Sequence, residues 1–161
     1  MQNLPEGSQD SGINLSDQQI EYNALLNNMD RLGNIIGTMG VTLVFTATDE
    51  VEEILRREKE HTISAYVDAQ MNYEVASTLA NVNWLYVLAV SLFYYTSFER
   101  QQQLYETVDP ANDWSEERIR GRELVTTGDM FKILGYLLAA RGFDMIADST
   151  LHEEQQLTPP P

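Results

Sequence analysis

The chain has 161 residues, no cysteine and a formal net charge of −15, from 25 Asp plus Glu against 10 Lys plus Arg. The missing thiol excludes disulfides, Cys-ligated zinc and thiolate catalysis, and the negative surface argues against nucleic-acid binding through a basic face and gives no attraction to an anionic lipid leaflet. With 43% apolar residues but only 9 Gly and 5 Pro, the composition supports one helical core and supplies too few turn formers for an all-β fold.

Residues 1–14, rich in Gln, Asn, Gly and Ser, read as a disordered leader without the basic and apolar regions of a secretory signal. Order begins at Ser16, an N-cap with Gln19 as its capping-box partner and a Leu15–Ile20 hydrophobic staple. Tyr22, Leu25, Leu26, Met29, Leu32, Ile36, Met39 and Leu43 then recur at helical spacing, which predicts a first helix over about 17–46. Thr46 to Asp49 reads as a reversal, with Asp49 capping a second helix. That helix carries Val51, Ile54, Leu55, Ala65, Tyr66, Ala69 and Tyr73 on one side and charge on the other. Asn81-Val82-Asn83 is a second candidate break before the apolar run from Trp84 to Phe93, and the Tyr and Trp of this third helix read as core. Asp109 to Asp113 reads as a loop. A fourth helix over about 115–126 is then punctuated by Gly128, and Asp129 caps a fifth. A polar tail over 151–161 ends in three prolines.

Two stretches are free of charge, Leu32 to Thr48 and Val75 to Phe98. A bilayer span needs about 20 predominantly apolar residues. The first stretch is diluted by Gly33, Gly37, Gly40, Asn34 and four threonines, and the second by Asn81, Asn83, Ser91, Thr96 and Ser97. The composition favours burial in protein. The alternative is a two-span membrane hairpin over about 32–48 and 79–98. In either setting Gly33, Gly37, Gly40, Trp84, Leu88 and Leu92 are the expected helix-contact residues, the glycines because they let backbones approach closely.

Little in the sequence carries chemistry. Glu58 and His61 form a Glu-x-x-His pair, the spacing with which carboxylate-bridged, ferritin-like bundles ligate metal. A second such motif is missing, since the other histidine, His152, stands without one. A local ion pair on a solvated helix is therefore the plainer reading of Glu58 and His61. Glycine-rich phosphate loops and nucleophile elbows do not occur. Arg118, Arg120 and Arg122 form a short basic patch, read as solvated.

The resulting expectation is an all-α bundle of four to five helices over residues 15–150, built on a long antiparallel hairpin. It is cytoplasmic, without cofactor or enzymatic activity, and self-associates because a helix apolar on nearly every side must be covered on every side. A basic protein partner, and mimicry of nucleic acid by the acidic surface, are further expectations that the charge permits.

Overall fold

The computed structural model describes residues 16–107 and 113–157. These residues form three helices: α1 (Asp17–Lys59), α2 (Ala65–Thr107) and α3 (Asp113–Leu157). Each is about 65 Å long at 1.5 Å per residue. No strand occurs among the described residues.

The expectation of four to five helices is corrected to three, because the helices run through the expected breaks at Thr46 to Asp49, Asn81 to Asn83 and Gly128. Thr46 and Thr48 donate their hydroxyls to the carbonyls of Thr42 and Val44 one turn back, and Ala47 between them is buried. Asn83 likewise donates to the Leu79 carbonyl. Polar side chains that satisfy themselves on their own helix need no turn. Gly128 stands inside α3, and Leu151, expected to open the tail, is also helical. The predicted leader, residues 109–112 of the predicted loop, Leu15 of the staple and residues 158–161 lie outside the described residues, while Asp113 opens α3.

The Ser16 capping box forms as expected, with Ser16 accepting from the Gln19 amide and the Gln19 side chain accepting from the Ser16 amide. Helix α1 ends instead at the turn over 60–64. Thr62 N–H bonds the Arg57 carbonyl and His61 N–H bonds the Glu58 carbonyl, while His61 takes a left-handed φ of 54°. This is a Schellman stop with histidine where glycine is usual. Ser64 then accepts from the Val67 amide and starts α2.

Helix α2 lies between the other two, and α1 and α3 do not meet. Contacts descend along α2 as they ascend along α1: Tyr22 with Glu99, Asp30 with Thr96, Gly33 with Phe93, Gly40 with Tyr86. Those with α3 behave the same way: Tyr105 with Glu123, Ser97 with Asp129, Tyr86 with Tyr136. Both pairings are therefore antiparallel. The buried positions of α1 are Leu26, Gly33, Gly40, Ala47 and Ile54, one every seven residues. A straight helix drifts about 20° per heptad, so a seam kept over four heptads requires left-handed wrapping of α1 on α2.

Candidate interaction surfaces

The α1–α2 seam is built on small residues. A Cβ on Gly33 would lie 2.7 Å from Phe93 Cε1, and one on Gly40 would lie 2.8 Å from Tyr86 Cε1. Each glycine is a notch that receives an aromatic ring. Tyr86 also packs against Tyr136 of α3, the rings tilted by 38° with centroids 5.0 Å apart, so one ring ties all three helices. Burial raises the pKa of its hydroxyl.

Polar clamps fix the register at one end. Thr96, 1% exposed, donates to Asp30 Oδ1 at 2.6 Å, and Asp30 Oδ2 pairs with Arg100 at 2.7 Å. Arg100 also donates to Asn27. On the other side of α2, Ser97 donates to Asp129, which Lys132 neutralises at 2.8 Å. Beyond these clamps opens a groove of about 850 Å³ lined by Tyr22, Glu99, Arg100, Arg118, Arg122 and neighbouring glutamines. Tyr22 donates to Glu99 at 2.6 Å, and this bond holds its hydroxyl pKa far above the ordinary tyrosine value. The groove follows from the separation of α1 and α3.

The predicted contact residues divide. Gly33 and Gly40 lie in the seam. Gly37, one turn away from each, has nothing within 4 Å of a Cβ position. Leu92 is half-buried, whereas Trp84 and Leu88 are 46% and 51% exposed on the outer side of α2. Tyr95 shares that exposure, so the reading of this helix's Tyr and Trp rings as core is corrected at Trp84 and Tyr95, while Tyr86 packs between its neighbours: two neighbours cannot enclose a helix apolar all round. Glu58 lies in the last turn of α1 while His61 sits in the left-handed turn beyond it, so the helical spacing behind the Glu-x-x-His reading is absent. No cluster of three or more His, Asp or Glu side chains able to hold a metal occurs among the described residues.

One surface escaped the sequence reading. Helix α3 faces α2 with Thr126, Asp129, Tyr136, Ala140 and Ala147. Its other side carries Leu124, Phe131, Leu138 and Met145, which are 67%, 64%, 76% and 59% exposed. Leu138 precedes buried Ala140 by two residues, which places it about 200° around the helix. Gly121, Gly128, Gly135 and Gly142 alternate with these four, and none has an atom within 4 Å of a Cβ position. The signal that marks this face is the glycine period of seven, readable without coordinates.

No protein-family model matches the chain, and no curated protein or solved structure matches it.

Proposed function

We propose that the protein is a non-enzymatic helical assembly module, built on the α1–α2 hairpin, that covers its surplus apolar helix surface with further copies of itself. The observation that carries this reading is the outward stripe of α3, four large apolar side chains at heptad spacing with more than half of each exposed. Ile35, Met39 and Phe45 add an exposed apolar side to α1. Contiguous apolar surface of this extent marks an interaction site in a soluble protein.

Lipid is the rival cover. Helix α2 is the one described helix long and apolar enough to cross a bilayer, with a mean hydropathy of 1.4 over its best window. Against a spanning arrangement stands the helix beside it. The Ser97–Asp129 and Tyr86–Tyr136 contacts set α3 residues Asp129, Lys132, Arg141 and Asp144 alongside the apolar run of α2. Lys132 and Arg141 are exposed there, and a bilayer would have to take up their charges at a cost of several kcal/mol (about 2.5–3.5 each at its centre). We therefore read the protein as soluble and cytoplasmic.

Light scattering on the purified chain over a dilution series tests the proposal. A mass at or above twice the chain mass of 18.3 kDa is expected. A strict monomer at all concentrations, or recovery from cells only with detergent, refutes it.

A further inference from the structure

The eight residues Gly121, Leu124, Gly128, Phe131, Gly135, Leu138, Gly142 and Met145 alternate steps of three and four, which is the spacing of a coiled-coil seam. Glycine holds one heptad position and a large apolar residue the other. The α1–α2 interface shows what such a pattern does in this protein. Gly33, Ile36, Gly40, Leu43 and Ala47 repeat it, and there each glycine receives a ring from the facing helix. On α3 the notches and knobs are both present and neither is filled.

We propose that the outer face of α3 is a self-association seam whose occupant is the same face of a second copy, laid antiparallel across a two-fold axis near Ile133. The proposal rests on the self-association reading and gives it a surface, a direction and a register. Two observations select the antiparallel arrangement. The first is shape. In an antiparallel pair the two heptad positions meet each other, so Gly121 faces Met145 of the second copy, Leu124 faces Gly142, Gly128 faces Leu138 and Phe131 faces Gly135. Every layer joins one notch to one knob. A parallel pair would set glycine on glycine and Leu138 on Leu138, alternating voids with bulk.

The second observation is charge. The early turns of α3 carry Arg118, Arg120 and Arg122 among Glu116, Glu117 and Glu123, and the later turns carry Asp144, Asp148 and Glu153 with Arg141. Antiparallel pairing brings exposed Arg120 beside exposed Asp148 of the second copy. Parallel pairing lays Arg120 on Arg120 and Asp148 on Asp148. Near the axis Lys132 meets its own counterpart, and Asp129 of the same chain already balances each ammonium. The two-fold makes the interface isologous and closed, which yields a dimer through this face rather than a fibre.

The natural absence of cysteine makes single-cysteine cross-linking clean. Leu134, exposed beside the seam and next to the axis, approaches its own counterpart. Full-length Leu134→Cys should therefore give a covalent dimer with a short bismaleimide. Leu124→Cys alone should not, but mixed with Gly142→Cys it should give the heterodimer. Gly128→Leu with Gly135→Leu should fill the notches and weaken dimerisation at least tenfold while circular dichroism shows unchanged helix content. Self-cross-linking of Leu124→Cys shows a parallel pair and overturns the proposal. A dimer by light scattering with no cross-link at Leu134→Cys overturns it too, leaving the assembly reading standing on another face. A ladder of higher species points to α3 docking on α1 of the next copy, and protein held only in detergent points to lipid; both overturn it.

Discussion

The Phe93 ring occupies the space in which a side chain at Gly33 would begin, with Cε1 2.7 Å from the Cβ position and the Ala89 carbonyl oxygen 3.2 Å away. The ring end can swing; the carbonyl belongs to a packed helix and cannot. Gly33→Ala gains roughly 1 kcal/mol of helix propensity and loses about 1–3 kcal/mol to overpacking, so a net loss of stability is expected. Gly40→Ala, against the side of the Tyr86 ring at 2.8 Å, should behave alike. Gly37→Ala meets nothing and should stabilise by up to about 1 kcal/mol. Urea denaturation of the three variants checks the contrast, and equal effects would show that the glycines are not notches.

Thr96 and Asp30 join α1 to α2 through a 2.6 Å bond in which the hydroxyl is buried and the acceptor is charged. Thr96→Val keeps the shape and removes the donor. Hydrogen bonds to charged groups are worth about 1.5–3 kcal/mol, and Arg100 remains on the other carboxylate oxygen to limit the damage. A loss of about 1–2 kcal/mol in chemical denaturation is expected. The double variant Thr96→Val with Arg100→Met should lose more than the two singles combined, because each single leaves Asp30 one partner.

Local signals in this sequence were legible and phase was not. The Ser16–Gln19 capping box needs only two residues three apart, and it forms. That the described residues fold without strands, as helix, followed from composition and apolar spacing. The supposed breaks at Thr46 to Asp49 and Asn81 to Asn83 failed because threonine and asparagine have a second use inside a helix, bonding back to their own carbonyls, and the helix runs through Gly128, whose Cβ position is open. The turn over 60–64 carries neither Gly nor Pro. Gly33 and Gly40 could be marked as contact residues, whereas excluding Gly37 required the seven-residue phase of the α1 seam. The same phase distinguishes the inner face of α3 from its outer one.

His61 holds a left-handed backbone that costs most residues about 1 kcal/mol and costs glycine nothing. His61→Gly should raise stability by about 0.5–1 kcal/mol, part of the gain being returned to the freer unfolded chain. His61→Val should lower it, since a β-branched side chain resists positive φ. Thermal unfolding of the two variants in parallel checks the sign. Equal midpoints would mean that the turn relaxes to another conformation at no cost.

Glu53 accepts hydrogen bonds from Arg56 at 2.7 Å and Arg57 at 2.6 Å, and these hold its pKa at about 2, below the ordinary 4.5. A depressed carboxylate pKa stabilises the folded form above the unfolded value, and that contribution disappears as pH falls from about 4.5 to about 2. The cluster lies at the surface, so its share of global stability is small. Site-resolved carbon NMR of the Glu53 carboxyl should show a midpoint near 2. An ordinary midpoint would mean that both arginines leave it in solution.

Association must overcome the net charge of −15 that each copy brings to the other. An exposed Arg120–Asp148 pair returns about 0–1 kcal/mol. The many-charge repulsion extends over the Debye length, which is about 30 Å at 0.01 M salt and 10 Å at 0.1 M. Repulsion is thus the larger and longer-ranged of the two, and salt removes it first. The dimer should tighten as salt rises from about 0.01 to 0.1 M, by tenfold or more if screening recovers about 1.4 kcal/mol. Apolar layers such as Gly128 against Leu138 of the second copy do not weaken over this range. Sedimentation equilibrium at two salt concentrations reads the change directly. A dimer that loosens with salt would show that charged pairs, and not the apolar seam, hold the copies together.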